Sequence, residues 1–311
     1  MTVEEIDART APDDVLARFH ALELACHEEL SPGEPPRGRD EVIAYHRHQP
    51  TPSHHWLADG GGASLYVHGP TGTFLQLLVD RARRRQGIGS ALLAAALERS
   101  RELGVEIVRG HHSTPAGAAF AAHHGAVDED RIVQSVLDLR AADLPEPSVP
   151  DGFRLLTWLG RVPDEHLAAY ARARVAMDDA PHPETMDFPA WDEAKIRASE
   201  ESLAQREREM RLTVAMDTQG EIVAFTELRV SRGSTLGFTD DTATVAAHRG
   251  KGLARAVKVE SLRRLRADHP ELEVVSTSNA EENTAMRHLN ESVGFRPTLV
   301  ETTTALDIRP S

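Results

Sequence analysis

Twice in this chain an apolar, strand-like run passes through a short glycine-bearing loop straight into a strong helix. The first passage runs from a strand over 73–79 through Arg84-Arg-Gln-Gly-Ile-Gly89 into a helix over 90–103. The second runs from a strand over 235–244 through Arg249-Gly-Lys-Gly-Leu-Ala254 into a helix reaching 267. The features around each passage recur in the same order, so the 311 residues read as an internal duplication. Residues 141–152 hold three prolines and suit an extended connector. The expected division is an N-terminal domain over 1–140, a linker over 141–152 and a C-terminal domain over 153–311.

Local patterning fills in each half. Val15, Phe19, Leu22 and Ala25 recur at helical spacing and predict a helix over 12–30, with a second over 40–48. Strands are expected at 55–58, 64–68 and 73–79, with Gly60-Gly-Gly62 and Gly69-Pro-Thr-Gly72 as turns. A strand at 105–109, a helix at 116–124 and a strand at 131–139 close the half. The second half predicts a strand at 153–158, helices at 164–177 and 190–210, and strands at 212–216, 222–230 and 235–244. After its loop and helix come a strand at 272–277, a helix at 283–293 and a strand at 300–306. The fold class is therefore α/β of the α+β mixed-sheet kind, a mostly antiparallel sheet flanked by helices in each half.

Composition removes several function classes. A formal charge of −14 repels phosphate backbones, so a nucleic-acid partner is not expected. The longest apolar run, 91–97, is far short of the ~20 residues a membrane span needs. The first residues are acidic and lack a signal-peptide pattern, so the expected compartment is the cytoplasm. The single cysteine, Cys26, excludes an internal disulfide and a cysteine-rich metal site, and its place on an amphipathic helix suggests a core residue. Only Lys195, Lys251 and Lys258 are lysines among 35 basic residues, a composition typical of GC-rich bacterial genes. The pairs His54-His55, His111-His112 and His123-His124 place adjacent rings on diverging directions, and no His-Glu-x-x-His occurs, so no metal is expected.

The loops carry the chemistry. The first N–H groups of a helix lack internal partners and sit at the positive end of its dipole. Glycines let the backbone close on an anion, so strand, loop and helix together make a phosphate cradle. Neither loop has the Gly-x-x-x-x-Gly-Lys-Ser/Thr of a P-loop. A dinucleotide fingerprint would need a third glycine where Leu92 and Arg255 stand.

Both loops resemble the pyrophosphate loop of the GNAT acetyltransferase superfamily, Gln/Arg-x-x-Gly-x-Gly/Ala. The resemblance covers nearly the whole chain as a tandem pair. It implies acetyl-CoA contacts at Val79, Arg84, Arg85, Gln86, Gly87, Ile88, Gly89 and Ser90 in the first half. In the second it implies Thr244, Val245, Arg249, Gly250, Lys251, Gly252, Leu253, Ala254 and Arg255. The family's Gly-Phe pair appears as Gly294-Phe295, whereas the first half has Gly125-Ala126. Asn283 matches the family asparagine on the cofactor arm and would equally cap a helix, and Asn279 is placed for the cofactor or an amide. The tyrosine that serves many members as general acid is replaced by Ala121 and Asn290. Asn290 donates a hydrogen bond but supplies no proton at neutral pH.

Acyl transfer needs an oriented thioester, a base for the amine and a donor for the developing oxyanion. Base candidates are Glu227 on one central strand and Asp240 or Asp241 on the next; His111 or His112 is a weaker one in the first half. The first half's strand 64–68 has no carboxylate, and that half lacks the asparagine set. The second half is therefore expected to be catalytic, with Glu227, Asp241 and Asn290 at its centre, and the first a degenerate or cofactor-only copy. Trp191, Phe188 and residues 180–183 occupy the region that in the family helps form the acceptor site. The expected function is transfer of an acetyl group from acetyl-CoA to a small-molecule primary amine, without an acyl-enzyme, by a monomer or homodimer. Two rivals stand beside it: a regulatory protein that holds acyl-CoA without turnover, and an aminoacyl transferase using charged tRNA.

Overall fold

The computed structural model describes residues 2–177 and 191–309. The first half runs β1 (Glu4–Ile6), α1 (Asp13–Leu30), α2 (Arg39–Arg47), β2 (Ser53–Ala58), β3 (Gly61–Tyr66) and β4 (Thr73–Val79). It continues through α3 (Ile88–Glu102), β5 (Ile107–His112), α4 (Pro115–His123) and β6 (Val127–Asp138). The second half runs β7 (Arg154–Leu159), α5 (Asp164–Arg174), α6 (Glu193–Gln205), β8 (Arg208–Met216), β9 (Ile222–Ser231) and β10 (Leu236–Thr244). It closes with α7 (Leu253–Asp268), β11 (Val274–Ala280), α8 (Thr284–Val293) and β12 (Arg296–Asp307).

The elements are those of a mixed α/β fold, and their order repeats as the duplication implies. What the sequence did not reveal is how the halves join. All strands among the described residues form one twelve-stranded sheet in the order β1-β2-β3-β4-β5-β12-β6-β11-β10-β9-β8-β7. The last strand of each half lies in the other half's part of the sheet. β12 pairs antiparallel with β5 through residues 302–307 and 107–112. β6 pairs antiparallel with β11, from Val274 opposite Asp138 to Ala280 opposite Ile132. The exchanged strands also pair with each other, across two register shifts in β12.

Packing follows the exchange. Ile308 joins Trp56, Leu65, Leu92 and Val108 in the first half's core. Leu137 and Leu139 join Leu262, Val275, Val293 and Phe295 in the second half's core. Each fully buried side chain of this size contributes roughly 1.5–3 kcal/mol. α3 buries Ile88, Leu92, Leu93 and Ala96 at helical spacing against the sheet, and α7 does the same with Leu253, Ala256, Val257 and Leu265.

Two local expectations change. Of the three glycines only Gly60 lies in the turn, with Asp59 and at φ +80°, while Gly61 and Gly62 begin β3. A Cβ on Gly61 would lie 2.6 Å from Ile88 Cγ2, and one on Gly62 3.0 Å from both Leu22 and Phe19. Successive residues face opposite sides of a strand, so the two glycines let α3 and α1 press on the sheet from both faces. The helix expected over 190–210 ends at Gln205, because Glu207 takes a left-handed φ of 52° and turns the chain into β8, which contains Met210. No helix among the described residues is long and apolar enough to cross a membrane.

The exchange makes the halves mutually dependent. A chain cut within 141–152 and expressed as separate fragments should give neither half folded, as read by circular dichroism and proteolysis. Leu137→Ala, on a first-half strand, should lower global stability by about 2–5 kcal/mol in a single denaturant transition. Two independent transitions in the intact chain would contradict this dependence.

Candidate active site

The two glycine loops share one backbone. Each strand leads into a single 3₁₀ turn, Arg81–Arg83 or Ala246–His248, and then into the loop. Arg85 and Gly250 take left-handed φ of 62° and 77°, and Gly87 and Gly252, two residues on, take 79° and 78°. Gly87 and Gly252 are the N-caps of α3 and α7, with no side-chain cap and no acidic residue in the first turn. α1, α2, α5 and α6 all carry acids there. A Cβ at Gly87 or Gly252 would meet nothing within 4 Å. Both helix starts therefore present unsatisfied N–H groups and a positive dipole end to open space.

Not every loop residue faces that space. Arg84 Nε and Arg249 Nε each donate to the last carbonyl of the preceding strand, Val79 O and Thr244 O, at 3.2 Å in both halves. Arg84 is further tied to Glu29 at 2.6 Å. These guanidiniums brace the loops, so the contacts implied for them fall to the backbone. Ile88 and Leu253 turn their side chains into the core. Arg85, Gln86, Gly250 and Lys251 are exposed, and Ser90 Oγ lies 3.0 Å from His124 Nε2.

Beyond the loops the halves diverge. β10 and β11 run parallel and in register only from 236–239 against 274–277, after which they splay. β10 also shifts register against β9 between Thr239 and Thr242. Asp240 and Asp241 therefore have no registered partner on either neighbour, and their side chains are about a quarter exposed, at 25% and 26%. In the first half β4 pairs with β5 only at Thr73 and Phe74, so that pair splays too. Its register against β3 is unbroken, so it has no bulge. The first half's gap opens on a cavity of about 410 Å³ where burial holds His111 below its usual range.

Three carboxylates and two guanidiniums meet beneath the bulge. Glu227 Oε2 accepts from Tyr170 Oη at 3.1 Å and Arg174 Nη1 at 3.2 Å. Its Oε1 accepts from Arg229 Nε at 3.0 Å and Nη2 at 2.8 Å. Arg174 also pairs with Asp241, and Arg229 with Asp240. Burial works against the Glu227 charge, but Arg229 and Arg174 outweigh it and hold the carboxyl below its usual range. With both oxygens occupied and 4% exposure, Glu227 is the hub of the cluster and is poorly placed as the expected base. Burial pushes Asp240 the other way, up to about 6 against the pull of Arg229. Trp191 covers Arg174, its ring centroid 3.7 Å from the guanidinium carbon; Phe188 and residues 180–183 lie outside the described residues.

The asparagines form a second group. Asn283 caps α8, accepting from Met286 N at 3.2 Å. Asn290 is buried and donates through Nδ2 to Asn279 Oδ1 at 2.7 Å. Its own Oδ1 accepts from Lys258 Nζ, a residue the sequence reading passed over. Lys258 is 1% exposed, has an amide as its bonded partner, and lies 5.0 Å from the Phe295 ring centroid. Burial pulls its ammonium down to about 7. The available signal was a rare lysine between Val257 and Val259 on a helix of core spacing. Arg174 and Arg229 were also missed, although Arg174 stands one turn from Tyr170 and Arg229 alternates with Glu227 on one strand face. Among the described residues no three His, Cys, Asp or Glu side chains gather as a metal site.

Residues 17–125 match the model of the Acetyltransferase (GNAT) family. The mycothiol acetyltransferase of Nocardia farcinica is 30% identical over 264 residues, 81% of this chain and 82% of that protein. The chain belongs to the GNAT acetyltransferase family. The mycothiol acetyltransferase of Clavibacter sepedonicus is 31% identical over 199 residues, a match spanning 62% of this chain and 60% of that one. Among GNAT structures, a tandem GNAT protein from the clavulanic acid biosynthesis pathway, solved without acetyl-CoA, matches over the full length of both chains at 26% identity and a TM-score of 0.84. A GNAT structure from Sphaerobacter thermophilus shares the fold at 17% identity and a TM-score of 0.74, over 99% of this chain.

The buried ammonium has a consequence for stability. Its folded pKa lies below the unfolded lysine value of 10.5, so between about pH 7 and 10.5 the unfolded chain binds the extra proton. Stability should rise across pH 7.5–9 by up to about 1.4 kcal/mol per pH unit. Lys258→Met should flatten that rise in denaturant titrations; an unchanged slope would mean that Lys258 is not the group responsible.

Proposed function

We propose that this protein is an N-acetyltransferase whose second half transfers the acetyl group of acetyl-CoA directly to a small primary amine. The observation that carries the reading is the path along β10, from the acid pair at its bulge to the uncapped helix start at Gly252. That path is roughly 13 Å of strand from Asp240 to Thr244, suited to an extended pantetheine arm. The fit rests on the open space at Gly252 and on the splay beyond Thr239 and Thr277. Bound there, acetyl-CoA would supply an activated acetyl thioester.

The chain's own groups then divide the work. The backbone of 250–254 and the start of α7 hold the pyrophosphate. The backbone of Asp240 and Asp241, at the bulge, is placed where an N–H can donate to an acetyl oxygen. Asp240, near pH 6 and partly exposed, takes the proton of the amine, while Glu227 keeps Arg174 and Arg229 in place. Asn279, whose Oδ1 is taken by Asn290, has Nδ2 left to donate into the gap. Behind it the Lys258 charge polarises the chain through Asn290, a substitute for the missing tyrosine. The first half keeps a phosphate cradle without bulge or acid cluster, which favours a cofactor-only role. The acetyltransferase names of the relatives support the reaction class, and the acceptor is this chain's own question.

Two measurements test this. A carboxylate at Gly252 would enter the space proposed for the pyrophosphate and repel it, so Gly252→Asp should abolish turnover. Gly87→Asp should remove one acetyl-CoA equivalent in calorimetry and leave most activity. Absence of any acetyl-CoA binding by the intact protein would refute the reading, and the opposite pattern would make the first half the enzyme. The pH profile should be bell-shaped rather than the single rising limb that Asn290 alone implies. Activity should rise through about pH 6 as Asp240 deprotonates and fall above about pH 7 as Lys258 loses its charge. Asp240→Asn should erase the acid limb and Lys258→Met the alkaline one.

A further inference from the structure

A cavity of about 230 Å³ lies between the halves, next to the bulge. Leu236 and Phe238 of β10 form part of its wall, and Tyr45 of α2 faces it from the first half. Four arginines, Arg37, Arg206, Arg208 and Arg229, line it together with two acids, Glu34 and Glu41. Arg37 is paired with Glu23 at 2.6 Å, and Arg229 with Glu227 and Asp240. The other two stand apart. Arg206 reaches only the carbonyl of Ser202, at 3.2 Å. Arg208 has a buried Nε with no hydrogen-bond partner. Neither has an ion pair among the described residues, although the chain carries 49 acidic side chains. The buried Arg109, Arg174 and Arg211 are each paired with a carboxylate.

The backbone holds this pair together. Glu207, between them, is one of only two non-glycine residues with positive φ among the described residues; the other, Arg85, is in the first phosphate loop. A left-handed φ is unfavourable for a residue with a Cβ. Here it reverses the chain between α6 and β8, so that Arg206 and Arg208 both line the cavity. The Glu207 carboxylate is spent outside, on exposed Arg232 at 3.1 Å. Burial, with repulsion from Arg208 and Arg229 on Arg206 and from Arg229 on Arg208, depresses both guanidiniums, although Asp240 pulls the other way on both and Glu41 on Arg208. A bound anion would relieve both effects.

Charge beside the cavity has the opposite sign. Glu227, Asp240 and Asp241 against Arg174 and Arg229 leave one net negative charge at the bulge. Phe238 and Asp240 are two residues apart on one strand face, about 6–7 Å. Arg229 belongs to both places: it lines the cavity and binds Asp240.

We infer that this cavity binds an oxyanion, a carboxylate or a phosphate, carried by the acceptor amine and held by Arg206 and Arg208 while the amine reaches Asp240. The inference rests on the acyl-transfer reading for the amine end; the anion end rests on the arginines alone. The acceptor is then a short zwitterion, and both halves build its site.

The test separates the two. Calorimetry with β-alanine and O-phosphoethanolamine, which carry an anion, and with ethanolamine, an amine without one, needs no turnover. One or both anion-bearing probes should bind the native protein, and ethanolamine should bind at least tenfold more weakly. The stronger of the two anion-bearing probes identifies carboxylate or phosphate as the anion. Arg206→Gln with Arg208→Gln should cost that binding at least tenfold while the melting temperature and acetyl-CoA affinity stay as in the native protein. Arg208→Lys, which keeps the charge and loses the fork, should fall between. In acetyl transfer the double variant should raise KM for the anion-bearing amine with little change in kcat. Binding of neither anion-bearing probe, or binding that survives the double substitution, overturns the inference. Loss of acetyl-CoA binding would instead refute the acyl-transfer reading, with the anion result unaffected.

Discussion

The antiparallel pairing of β6 with β12 decides how everything else is arranged. Each strand ends one half of the sequence and completes the sheet of the other, so the halves cannot turn or drift independently. This fixes the cavity between them, since Tyr45 and Arg37 of the first half face Arg206, Arg208 and Phe238 of the second. It also explains how the first half can lack a carboxylate on β3 and a bulge on β4 yet remain indispensable. Leu137 and Leu139 fill the second half's core whatever the first half does chemically.

The legible parts of the sequence were those dictated over a few residues. Gly87 and Gly252 hold left-handed φ, the conformation that makes glycine the natural residue where a strand turns sharply into a helix, and that demand is local. Helices with core spacing, such as α3 and α7, were legible for the same reason. Strand exchange was not, because the alternation in residues 131–139 and 300–306 suits either neighbour; pairing partners far apart in sequence leave no mark on it. The short β1 gave too few residues for any period. The helix expected to reach 210 stopped early because a left-handed Glu207 is an unusual choice that propensity does not anticipate.

The site divides along the same line. Glu227, Asp240 and Asp241 could be picked out as acids on central strands, but their roles depend on which arginines fold against them. Arg174 arrives from α5 and Arg229 from β9, and together they take up both oxygens of Glu227. A carboxylate surrounded in this way is a clamp, while its partly exposed neighbour at the bulge keeps basicity near neutrality. Asn290 carries no proton to give at neutral pH, yet the ammonium behind it comes from a helix 32 residues away in sequence.

A chain of net charge −14 nonetheless keeps a row of positive sites along one pair of strands. The α7 start lies beyond the end of β10, Lys258 stands behind Asn290 and Asn279 near the splay, and Arg206 and Arg208 lie at the beginning of β10. Only at the bulge does the sign reverse, by one net carboxylate. None of these positive groups is explained by stability. A hydrophobic residue in place of Lys258 would avoid desolvating a charge, and two arginines without an ion pair among the described residues gain nothing from each other. Their order along β10 and β11 is the order in which the proposed ligands would present charge: a pyrophosphate, a departing thiolate, an amine and a second anion. The simplest physical reason for retaining uncompensated charge at each point is that a ligand brings the compensation with it.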